Sequence, residues 1–168
     1  NVTDDYGVLV LTGPKSREIL SQITDADLSN EAFPWLRYRQ INVSGIPVRA
    51  LKVSYVGELG WELHHPMNQM QTLYEQLHQA GKAYGLTDFG TYAVNSLRME
   101  KAYKAWGGEL TTEITPVEAD LMRFVDFSKS FVGREATLAR KLQTHALQLV
   151  YLSVDAPDCD CLGNEPVM

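Results

Sequence analysis

The stretch Val53-Ser54-Tyr55-Val56-Gly57-Glu58-Leu59-Gly60-Trp61-Glu62-Leu63 constrains this chain more than any other. Apolar residues approach and leave a short polar centre that holds two glycines. Gly57 and Gly60 supply the permissive backbone that a tight reversal needs, so the segment reads as two strands joined by a turn. Tyr55 and Glu62 flank that turn on its two limbs. Two readings are open for them. Either Tyr55 packs in a core and Glu62 is solvated, or the phenol and the carboxylate mark the start of a binding site, because a buried hairpin needs neither at its neck.

The flanking chain supplies the rest of a sheet. Tyr6–Leu11 alternates as a strand, and Thr12-Gly13-Pro14 turns it into a helix over Lys15–Ile23, with Pro14 at the first helical position. Gly13 lacks the glycine-rich run and the Lys-Ser/Thr pair of a nucleotide loop, and that reading is rejected. Arg37–Val43 and Ile46–Ser54 read as strands around a Ser44-Gly45 turn. His64 and His65 are adjacent in the following strand and point to opposite faces, so they cannot readily chelate one metal ion. No third ligand stands at a useful spacing, and no metal site is expected.

Met67–Ala80 is amphipathic, with Met70, Leu73, Tyr74 and Leu77 at helical spacing and Gly81 or Gly85 available as terminator. That stripe reads as core. A second helix opens at Phe89-Gly90-Thr91 with Thr91 as its cap, and carries Arg98 among Val94, Leu97 and Ala102. Arg98 either pairs with a nearby acid such as Glu100 or offers its rigid fork of donors to a carboxylate or heteroaromatic ligand. Further on, the spacing predicts an aromatic, glycine-bearing loop over 103–110 and a short helix at Thr115-Pro116-Val117-Glu118-Ala119, begun by a capping box. A strand is expected over Arg123–Phe127, a helix from Phe131 to Leu142, and a last strand over Ala146–Val154. Strands meeting through hairpins, with helices between them, predict an α+β fold whose mixed or antiparallel sheet carries helices on one side.

A chain of 168 residues can bury a sizeable core, and its net charge of −6 opposes a broad nucleic-acid footprint. No apolar run reaches membrane-spanning length and no signal peptide is visible. Asn1 is not an initiator Met, and the chain runs at once into a strand, so a piece of a longer protein is expected. Cys159 and Cys161 are separated by one residue, which suits neither an easy disulfide nor the usual zinc spacing. They read as reduced thiols in a loop.

Four blocks give the chain a family likeness: Leu11-Thr12-Gly13-Pro14-Lys15-Ser16-Arg17; Tyr55-Val56-Gly57-Glu58-Leu59-Gly60-Trp61-Glu62; Leu97-Arg98-Met99-Glu100-Lys101; and Thr115-Pro116-Val117-Glu118-Ala119, continuing to Phe131-Val132-Gly133. In this order, the chain resembles the folate-binding aminomethyltransferase family. That family includes the T-protein of the glycine cleavage system and the C-terminal halves of dimethylglycine and sarcosine dehydrogenases. Leu59-Gly60-Trp61, Phe89-Gly90-Thr91-Tyr92-Ala93 and Glu100-Lys101-Ala102-Tyr103-Lys104-Ala105-Trp106-Gly107 look like the dehydrogenase branch.

The resemblance implies that Tyr55, Val56 and Gly57 line a pterin pocket, that Glu62 contacts the amino-pyrimidine edge, and that Arg98 also contacts tetrahydrofolate. It implies capture of the one-carbon unit from oxidative N-demethylation as 5,10-methylenetetrahydrofolate. A flavin (FAD) domain in cis would perform the oxidation, since no flavin fingerprint exists in this chain. A glycine-cleavage T-protein, with its lipoyl-carrier partner, and a non-catalytic relative of the same fold are the alternatives. Val56 stands where the family often has Thr, which removes a hydroxyl. The family's catalytic Asp belongs before the first block and its C-terminal barrel beyond the last strand. The chain is therefore expected to hold a partial folate-binding domain over 1–144 and the start of the barrel over 145–168, truncated at both ends and inactive alone. Its partners would be a small-molecule folate, without nucleic acid or membrane, in the cytoplasm or the mitochondrial matrix.

Overall fold

The computed structural model describes residues 1–143, 147–155, 157–158, 161 and 166. The chain forms two compact units, Asn1–Tyr103 and Lys104–Met168.

The first unit is built on one antiparallel sheet of β1 (Tyr6–Thr12), β2 (Tyr38–Val43), β3 (Ile46–Leu51) and β4 (Gly60–Pro66), in the order β1-β4-β3-β2. Alternation in the sequence becomes alternation in space. Ile41 pairs with Val48, Val43 with Ile46, and Ala50 with Leu63, and all six side chains are buried on one face. Ser44 and Gly45 join β2 to β3 with φ of 49° and 85°. Two consecutive positive φ values give a turn whose twist matches that of the flanking strands. The Asn42 side chain closes it by accepting the Gly45 N–H at 2.7 Å.

Helices α1 (Ser16–Leu20) and α2 (Met70–Gly81) pack with this sheet, α2 against β1 and α1 against β4. Leu20, Phe33, Trp61, Leu63 and Leu73 form the fully buried centre, with Phe33 edge-on to Trp61 at 6.3 Å. The predicted α+β class and antiparallel sheet are therefore present. Helix α1 is shorter than the Lys15–Ile23 expectation, because Gln22 and Ile23 hydrogen-bond three residues back rather than four, and Pro14 lies in the turn before it.

The central reversal differs from its sequence reading. Strand β3 stops at Leu51, and residues 52–59 form a loop rather than a tight turn. Lys52 is drawn inward at the start of this loop. Its ammonium donates to Phe33 O at 2.7 Å and Asn30 Oδ1 at 2.8 Å, and burial lowers its pKa. Gly57 does adopt a left-handed φ of 76°, but Gly60 does not. Gly60 is required by close approach instead, since a methyl there would sit 2.8 Å from Leu11 O on the paired strand.

After α2, a single 3₁₀ turn and a left-handed Gly85 lead through residues 86–90 to α3 (Thr91–Glu100). Gly90, not Thr91, occupies the cap position. Helix α3 ends in a left-handed Ala102, with Tyr103 N–H returning to Arg98 O at 2.9 Å.

The second unit is mostly turns around α4 (Arg134–Lys141). The Thr115–Ala119 capping box forms half as expected, Glu118 accepting the Thr115 N–H at 3.1 Å. It caps one turn and not a helix, because Asp120 enters a left-handed conformation at φ 55°. The expected strand over Arg123–Phe127 is absent: Met122–Phe124 is a 3₁₀ turn with Phe124 largely exposed. The expected last strand is absent over its described residues 147–154, and Ala146 lies outside the described residues. Both segments have strand-like composition but no neighbouring edge among the described residues to hydrogen-bond with, and a lone strand has nothing to satisfy its backbone. Cys161 is exposed, and Cys159 lies outside the described residues.

Candidate functional site

A cleft of about 530 Å³ opens in the first unit. Its volume falls in the range of small-molecule sites, which pair largely apolar walls with a few placed polar groups. One wall is β1, an edge strand whose consecutive residues Leu9–Thr12 all line the cleft. The loop 52–59 and β4 contribute Tyr55, Val56 and Glu62. The remaining wall comes from α2, the 86–90 segment and the first turn of α3.

Glu62 reaches the cleft because of strand parity. On β4 the residues Trp61, Leu63 and His65 are buried in the core, which turns Glu62 and His64 to the other face. There Glu62 stands between Val10 on β1 and Leu51 on β3. His64 lies on the same face, with Nε2 3.2 Å from Glu62 Oε2. His65, on the opposite face, is fully buried and bonds through Nδ1 to Leu63 O at 2.8 Å. The two adjacent histidines are thus separated by the sheet, as strand geometry demands.

Tyr55 belongs to the loop and not to a strand, and it is 45% exposed, so its ring is available to a ligand and does not fill the core. Val56 is buried beside it. Gly57 does not line the cleft. It packs against Lys101 at the end of α3, where a methyl group would fall 2.3 Å from Lys101 Cγ. Lys101 also approaches Glu58 at 3.9 Å, so the loop and the end of α3 are held together.

Arg98 is likewise outside the cleft lining. It is buried, and its guanidinium donates to Asn95 Oδ1 at 2.8 Å and Tyr103 O at 2.9 Å. These bonds secure the turn that closes α3. From the same helix, Val94 and Thr91 do line the cleft. The structure therefore brings Tyr55, Val56 and Glu62 together in the cleft lining and leaves Gly57 and Arg98 outside it.

Helical spacing misassigned one site residue. Tyr74 shares a stripe with the buried Leu73 and Leu77, yet it is 39% exposed and faces the cleft. Its hydroxyl donates to Asp88 Oδ2 at 2.6 Å, and His78 Nε2 lies 3.0 Å from Asp88 Oδ1. The i, i+4 pairing of Tyr74 and His78 was visible in the sequence. Their meeting with Asp88 depends on how the chain returns after Gly85.

Among the described residues no helix is long and apolar enough to cross a membrane. Residues 1–129 match the family model described as the GCVT N-terminal domain. The chain is 45% identical to mouse (Mus musculus) dimethylglycine dehydrogenase, mitochondrial, over 99% of its own length and 19% of that protein. It is 39% identical to mouse sarcosine dehydrogenase, mitochondrial, over 91% of the chain and 17% of the relative. It is also 38% identical to an aminomethyltransferase of Caldanaerobacter subterraneus, over 89% of the chain and 40% of the relative. The chain thus spans about a fifth of the length of the dehydrogenases it matches. With the matched model extending over most of its residues, the chain belongs to the GCVT N-terminal domain family.

Proposed function

We propose that the cleft binds tetrahydrofolate, with Tyr55, Val56 and Glu62 in direct contact, Gly57 setting the bend of the loop that carries Tyr55, and Arg98 holding the end of α3. The observation that carries this reading is the convergence of a half-exposed phenol and a carboxylate on one apolar-walled cleft. The residues fit the ligand. A 2-amino-4-oxo-pyrimidine presents adjacent N–H donors, which a carboxylate accepts in charge-assisted bonds. With His64 beside Oε2, the Glu62 carboxylate is oriented by its neighbour. The Tyr55 ring covers an apolar face of the ligand.

When bound, the reduced folate supplies the nucleophilic nitrogens that accept a one-carbon unit. The residues of this chain hold and orient it. Within a longer protein this activity would serve oxidative N-demethylation, a flavin domain in cis generating the one-carbon unit and the folate leaving as 5,10-methylenetetrahydrofolate. Residues 1–144 would be the folate-binding part and 145–168 would begin a barrel. The mitochondrial matrix is the compartment that suits such a protein. The likeness to an aminomethyltransferase at 38% identity favours transfer from an aminomethyl carrier as the second reading. The reading frame upstream of Asn1 separates the two, since only the first requires a flavin-binding domain there.

Replacing Glu62 by Gln tests the assignment. Loss of charge-assisted bonds of roughly 1.5–3 kcal/mol should weaken tetrahydrofolate binding about 10- to 100-fold, with flavin-dependent amine oxidation unaffected. An unchanged affinity in a calorimetric titration would refute the role of Glu62.

A further inference from the structure

We infer that Tyr74, Asp88 and His78 form a clamp that positions one wall of the ligand cleft, Asp88 being its positioning residue. Two donors one helical turn apart on α2 converge on one carboxylate, and each takes a different oxygen. The Tyr74 hydroxyl binds Oδ2 at 2.6 Å and His78 Nε2 meets Oδ1 at 3.0 Å. The Tyr74 and His78 rings lie 4.3 Å apart, which fixes the spacing of the two donors. A carboxylate held through both oxygens cannot swing about its terminal bond. Hydrogen bonds from Tyr74 and then His78 keep the Asp88 pKa below its ordinary value, and the group is anionic at neutral pH.

Asp88 lies in the middle of a segment with little else to hold it. Among the described residues, the N–H groups of Thr87, Asp88, Phe89 and Gly90 make no backbone hydrogen bond. The segment is tied at its start by Leu86, whose N–H bonds Gly81 O at 3.1 Å and whose side chain packs so closely that a methyl on Gly81 would fall 2.4 Å away. At its far end Gly90 accepts the Val94 N–H and caps α3. Leu86–Gly90, Asp88 included, line the cleft together with Tyr74 and His78, as do Thr91 and Val94 beyond them. The direction in which Phe89 and the start of α3 enter the cleft therefore depends on where Asp88 is pinned. The Asp88 side chain is 69% exposed, so the clamp acts on the position of the segment and contributes little to stability.

The inference rests on the folate reading for its ligand, and the test separates the two. In the full-length protein, Asp88→Asn should speed exchange of the hydrogen-bonded Leu86 and Val94 amides, at the two ends of the segment, about tenfold and weaken tetrahydrofolate affinity several-fold, with little change in thermal midpoint. His78→Gln retains an N–H donor and should restore most of the affinity that His78→Leu loses. A merely structural contact would not show that rescue in binding. Unchanged exchange in Asp88→Asn, or faster exchange with unaltered affinity, would overturn the clamp. Glu62→Gln serves as the control: it should weaken binding without speeding exchange, and failure there with a positive Asp88 result would overturn the assigned pterin contact while leaving the clamp in place.

Discussion

Glu62 and His64 occupy one face of β4, two residues apart, with His64 Nε2 3.2 Å from Glu62 Oε2. Strand parity alone puts them side by side, and the same parity buries Trp61, Leu63 and His65 on the other face. Because both side chains are about one-third exposed, the pair is solvent-screened and contributes little to stability. Its value lies in orientation. His64→Leu should weaken tetrahydrofolate binding by at most about fivefold, the effect of an exposed pair of up to about 1 kcal/mol. The melting temperature should hardly move, and a calorimetric titration beside a thermal melt measures both.

Gly57 brings the 52–59 loop against the end of α3 through a backbone that other residues avoid. At φ 76° an L side chain is strained, and its methyl would collide with the Lys101 side chain. Gly57→Ala should therefore cost about 1–2 kcal/mol from the backbone alone. The loop should also shift relative to the end of α3, and denaturant melts with and without tetrahydrofolate would detect both effects.

Leu63 is fully buried where β1, β3 and β4 meet, paired with Leu9 and Ala50. Leu63→Ala should destabilise the first unit by about 2–5 kcal/mol, combining lost transfer energy with the cavity left behind. Because Glu62 precedes it on the same strand, folate affinity should fall as well. A variant with native stability in urea would show that the sheet core lies elsewhere.

Glu118 in the second unit provides a pH prediction. Its carboxylate is held by the Thr115 hydroxyl and then by the Arg140 guanidinium, with Oε2 and Oε1 as the respective acceptors. These bonds lower its pKa from 4.5 to about 2. A depressed folded-state pKa contributes stability that is present above the unfolded value and is lost as pH falls through the folded one. The contribution should therefore be constant above about pH 5 and disappear between about pH 4.5 and pH 2. Arg140→Ala should raise the Glu118 pKa and move the acid-induced loss of structure to higher pH. Carboxyl chemical shifts followed by NMR would read the titration directly.

The amino-acid sequence by itself determined those features set by neighbours along the chain. Alternation specified β1, β2 and β4, Ser44-Gly45 specified the hairpin, and the Leu73/Leu77 spacing specified α2. The likeness carried by four short blocks reached the family, and Tyr55 and Glu62 could be singled out as the phenol and carboxylate flanking a glycine-bearing bend. What only the tertiary structure decided concerns groups whose partners are distant in sequence. Residues 52–59 became a loop because Lys52 turned inward to Asn30 and Phe33. Arg98 turned to Asn95 and Tyr103, while Val94 and Tyr74 reached the cleft. Residues 123–127 stayed irregular for want of an edge to pair with. Asp88 met Tyr74 and His78 only because Gly85 reversed the chain over α2. Local pattern reports which face a residue shows, whereas the groups that meet across a cleft depend on where the chain returns.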